Sequence, residues 1–88
     1  MENKLLNEFI DKRYDMIQAA FDYDGKIAYR SRRDFIESVI DENINEIRGA
    51  VCFARYSDLI DMCEFEDLMK QTRSMGIALK GKLVDINE

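Results

Sequence analysis

The chain has no histidine, no proline, no tryptophan and only two cysteines among its 88 residues. Without histidine, Ser-His-Asp and Cys-His schemes and histidine general-base catalysis cannot be assembled within one chain. A structural zinc site generally takes four Cys or His ligands, and Cys52 and Cys63 supply half of them. Two cysteines do not make a disulfide framework, so both thiols are expected to be reduced and the chain cytoplasmic. Met1 is followed by charged Glu2 and Lys4, which does not read as a secretory signal. The longest unbroken apolar run is Ala50 to Ala54, far short of the roughly 20 residues of a membrane span. Neither a Walker motif nor a dinucleotide glycine signature is present, and no cofactor is expected. Lack of proline removes the strongest helix breaker and favours long, continuous helices.

What is present is acidic, apolar and periodic. Eighteen acids face thirteen bases, for a net charge of −5, and 47% of residues are hydrophobic. That is too apolar for a disordered chain. The charge disfavours nucleic-acid binding driven by phosphate contacts. At this length one domain is expected, with a core that is marginal alone, since such chains bury only about 60–65% of their unfolded surface.

Leu5, Leu6, Phe9, Ile10, Met16, Ile17, Ala20 and Phe21 follow the i, i+3, i+4, i+7 pattern of an amphipathic helix, predicted over about 4–22. Residues 23–31 form a loop around Asp24-Gly25, a turn dipeptide. The Asp22, Asp24, Gly25 spacing fits only part of a calcium loop, because Ala20 and Ser31 stand where ligands are needed. Ser31 followed by Asp34 is a capping-box variant and opens a second helix over about 32–56. Its stripe of Ile36, Val39, Ile40, Ile44, Ile47, Ala50, Val51 and Ala54 covers an arc of roughly 140°.

A third helix is predicted over about 58–82, capped by Ser57 or Asp58. Its acids precede its bases, as the helix dipole prefers. Its stripe changes face: Phe65, Leu68, Met69, Met75, Leu79 and Leu83 share one arc, joined by Met62, whereas Leu59, Ile60 and Cys63 point elsewhere. Either a short helix ends in a kink near residue 64 and packs over the end of helix 2, or Leu59, Ile60 and Cys63 form a partner surface. The architecture is therefore an all-α antiparallel hairpin or small bundle of three or four helices. Such wide apolar arcs on so short a chain suggest completion by homo-oligomerisation.

Some residues break the pattern. Arg13 and Asn43 interrupt the stripes of helices 1 and 2. Arg13 reads as a snorkelling or paired cation, or as one facing a shared cavity. Asn43 reads as a satisfied edge residue or as a polar device fixing register in an interface. Lys26, Arg30, Arg32 and Arg33, with Tyr29 among them, surround the start of helix 2. Cations there oppose the helix dipole, although free N–H groups at the same place favour an anion. They either pair with nearby acids or bind a ligand.

The function expected first is a small non-enzymatic regulator or inhibitor that docks on a protein partner. The contact would be Leu59, Ile60 and Cys63, or an acidic face that steers basic partners. The alternative is an oligomeric binder of a small phosphorylated ligand such as a nucleotide. There Lys26, Arg30, Arg32 and Arg33 would hold phosphate, Arg13 would add charge, and Tyr29 or Tyr14 would stack on a base. A DNA-binding regulator is the third reading, and catalysis by a carboxylate pair or by Cys52 the last.

Overall fold

Leu6, at the start of the first helix, packs with Val51 and Ala54 at the end of the second, and Ile17 near its end packs with Ile36 and Ile40. The two helices therefore run antiparallel. They belong to a computed structural model that describes residues 4–28 and 30–86. Helix α1 spans Lys4–Asp22, α2 Arg32–Tyr56 and α3 Met62–Gly81, and a 3₁₀ turn, Lys82–Asp85, follows. No strand occurs among the described residues. The chain forms an all-α up-down-up bundle with α2 in the middle. Both α1 and α3 pack on α2, and their own backbones keep more than 8 Å between Cα atoms. At 25 residues, α2 is about 38 Å long and sets the longest dimension of the molecule, 44 Å.

Two apolar clusters lie along α2. One joins Ile17 and Ala20 of α1, Ile36, Ile40 and Ile44 of α2, and Leu79 and Leu83 from the end of the chain. The other joins Leu6, Ile47, Val51, Ala54 and Ile60. Ile17, Ile36, Ile40, Ile47 and Val51 are fully buried. The wide stripe of α2 is thus covered from within one chain by both neighbours, and self-association is not needed to bury it.

The start of α2 follows its cap: Ser31 is extended, and its hydroxyl accepts from the Asp34 amide at 3.1 Å. The α2–α3 connection differs from the expectation. Helix α3 begins at Met62 rather than 58, and its N-cap is Asp61, in a reciprocal capping box with Glu64. Ser57 and Asp58 instead end α2. Asp58 is left-handed, with φ 58°. Its amide donates to Arg55 O at 3.1 Å, and the Leu59 amide to Ala54 O at 2.8 Å. This is the Schellman ending usually built on glycine. The change of stripe is therefore a loop: Ile60, 3% exposed, drops onto the end of α2. Helix α3 runs through Gly81 directly into the 3₁₀ turn, which is the fourth element.

Candidate functional site

The basic cluster is absorbed by the fold. An up-down-up bundle brings the start of α2 beside the ends of α1 and of the 3₁₀ turn. Those ends present carbonyls that have no partner within their own helix. The Arg32 guanidinium donates to Tyr23 O at 2.7 Å and to Phe21 O, closing α1. Arg33 donates to Leu83 O at 3.2 Å and to Ile86 O at 3.3 Å, closing the 3₁₀ turn. Two cations that oppose the dipole of α2 thus complement the C-terminal ends of two other elements. Arg30 pairs with Asp34 at 3.3 Å on the surface. Lys26 is exposed, and its carbonyl accepts from the Tyr23 hydroxyl at 3.2 Å. A Cβ at Gly25 would run into that hydroxyl, so the glycine lets the ring fold over the loop. Tyr29 lies outside the described residues.

Arg13 and Asn43 meet each other. Arg13 Nη1 donates to Asn43 Oδ1 at 3.3 Å, and Asn43 Nδ2 donates to Val39 O at 2.8 Å. The Arg13 guanidinium also lies 5.0 Å from the centre of the Phe9 ring. Asn43 is therefore a satisfied core residue, 2% exposed, and Arg13 is its half-buried partner. Tyr14 packs against the cluster around Ile17. Asn43 stands eleven positions after Arg32, about 16 Å along the helix, so the residues proposed for one phosphate pocket divide between two regions.

The expected contact surface is rearranged. Leu59 and Cys63 are exposed, but Ile60 is core. The apolar surface at this end comes instead from Phe53 (66% exposed), Tyr56 (89%), Leu59 (57%) and Met62 (49%). Phe53 and Tyr56 share the outward face of α2 three residues apart. Leu59 and Met62 line a shallow hollow with Asp58, Asp61 and Glu64. Asp58 accepts from Arg55 Nη1 at 3.2 Å, while Asp61 and Glu64 hold each other's backbone amides. Arg55 Nε is buried without an acceptor among the described residues. This end of the molecule thus exposes two aromatic and two aliphatic side chains, and Arg55, Asp58, Asp61 and Glu64 stand around the hollow.

Comparison of the chain with known protein families, curated proteins and solved structures gives no match.

Phe53 and Tyr56 belong to none of the expected stripes, and Met62, expected on the inward arc of the third helix, is 49% exposed at the first position of α3. A signal for the first two exists: Gly49, Cys52, Phe53 and Tyr56 fall at i, i+3, i+4 and i+7, a second apolar stripe opposite the buried one. Among the described residues, no group of Cys, Asp and Glu converges as metal ligands, and no helix is long and apolar enough to cross a membrane.

Proposed function

We propose that the chain is a small, non-enzymatic regulatory or inhibitory protein that docks on a protein partner through the end face of Phe53, Tyr56, Leu59 and Met62. The observation that carries this reading is the exposure of four large apolar side chains at one end of a bundle whose own core is already closed. Aromatic residues are enriched at the buried centres of interfaces, with polar groups around them. Asp58, Asp61 and Glu64 stand beside Leu59 and Met62, so the fitting partner is an apolar surface rimmed by lysine or arginine. Opposite charge of this kind mainly raises the rate of encounter and is screened by salt.

The double variant Phe53→Ser/Tyr56→Ser tests the proposal. Both side chains are exposed, so their loss leaves the fold in place. Each aromatic that anchors the contact is worth at least about 2 kcal/mol, a loss of roughly 30-fold in affinity. The partner retained by the wild-type protein should be lost by the variant, and the wild-type complex should form more slowly as salt rises. Equal retention by the variant would remove this face from the account.

A further inference from the structure

Two arginines without a partner among the described residues lie on this acidic molecule away from the basic cluster of the sequence. On the side of α2 away from α1, a cleft of ≈ 360 Å³ lies between α2 and α3. Arg48, Arg73 and Lys80 stand around it, over Ile40, Ile44 and Ile77. Lys80 is matched: its Nζ is 2.7 Å from Asp41 Oδ1. That hydrogen bond raises the lysine's pKa, with the Asp41 charge second and Glu37 assisting, while burial and nearby Arg48 act against it. Arg48 and Arg73 have no hydrogen bond or ion pair among the described residues. The chain has five more acids than bases, yet two guanidiniums remain unpaired around one cleft, and Arg48 opposes Lys80 there.

We infer that the α2–α3 cleft binds a small phosphorylated organic molecule, with Arg48 and Arg73 on the phosphate and Ile77 against the organic body. Three cations against the one carboxylate of the lining leave two positive charges, which matches a phosphate monoester at neutral pH, about −1.5 to −2. The planar guanidinium fork fits phosphate oxygens two at a time, which an ammonium cannot do. Ile77 is largely exposed on α3 and gains cover from an apolar group seated there. Asn45 adds an amide able to donate and accept. The volume is at the small end for ligand sites, about 300–1,000 Å³, and no aromatic ring lines it. A compact phosphate ester fits this lining better than a stacked nucleobase. The site is separate from the end face and does not depend on it.

The test is an amide NMR titration of the whole protein with phenyl phosphate, with inorganic phosphate and benzyl alcohol as separate probes. Phenyl phosphate should give saturable shifts centred on Arg48, Arg73 and Gly76, with a dissociation constant of about 1 mM or tighter. Inorganic phosphate should bind at least several-fold more weakly, and benzyl alcohol should give no saturable shift. Arg48→Ala/Arg73→Ala should weaken the probe at least about tenfold with the spectrum unchanged elsewhere, and Arg48→Gln/Arg73→Gln should do the same while keeping much of each side-chain stem. Arg30→Ala should have no effect. Four results would each overturn the inference: no saturable shift at the cleft, shifts centred on Ser31 to Asp34, undiminished binding by either double variant, or displacement of the probe by a tighter-binding short DNA duplex.

Discussion

Asn43 shows how a polar side chain becomes part of a core. Its amide nitrogen is held by Val39 O and its oxygen by Arg13, so its burial leaves little polar capacity unmet. Asn43→Ala strips Arg13 of its partner and opens a gap. It should cost about 1–3 kcal/mol, seen as a lower urea midpoint with an unchanged slope. Asp58 is the opposite case. With φ 58° it occupies a conformation that costs an ordinary L-residue roughly 1–2 kcal/mol and glycine almost nothing. Its ion pair with Arg55 is exposed and contributes at most about 1 kcal/mol. Asp58→Gly should raise the melting temperature and Asp58→Val should lower it; a lower melting temperature for Asp58→Gly would show that the ion pair outweighs the backbone. Arg13 and Asn43 are visible in the sequence as interruptions of two stripes. Their contact is not, because the partners are 30 residues apart and only the docking of α1 on α2 brings them together.

Among the elements, the all-α class and the facing stripes of α1 and α2 were legible because helical periodicity runs through both without a proline, although Leu5 and Met16 of the α1 stripe are exposed. The start of α3 was not. Ser57 and Asp58 look like N-caps, but the preceding helix uses them for its own ending, and the buried Ile60 reverses the apparent face. The role of the arginines was hidden for the same kind of reason: the carbonyls they serve belong to other elements. Arg32→Ala should therefore cost about 1–2 kcal/mol of stability and leave phenyl phosphate binding unchanged; thermal melting and the titration above separate the two effects. The Asp41–Lys80 tie between α2 and α3 sets a pH dependence. The folded-state pKa of Lys80 lies above its ordinary 10.5, chiefly through the Asp41 hydrogen bond. Its contribution is full below that ordinary value and is lost as pH rises through the raised one. Both side chains are about half exposed, so Asp41→Asn should cost less than about 1 kcal/mol at pH 7. The difference from wild type should shrink in urea melts as pH climbs past 10.5.

For the whole molecule, the expectation of self-association came from apolar arcs too wide for a short chain. The three-helix arrangement covers the arc of α2 internally and leaves the end face outside it. A second copy seated on that face would compete with a foreign partner. The face was only partly legible, since Leu59 and Cys63 were named with the buried Ile60, and the outward stripe of Phe53 and Tyr56 was overshadowed by the stronger inward one. The most direct measurement is affinity capture from the organism that encodes the chain, comparing wild type with Phe53→Ser/Tyr56→Ser, beside sedimentation of both proteins alone. The account predicts a monomer that retains a protein with a basic rim, loses it in the double variant and keeps it in Arg48→Ala/Arg73→Ala. Retention of the same protein by Phe53→Ser/Tyr56→Ser, or a wild-type dimer that this variant converts to monomer, would contradict it.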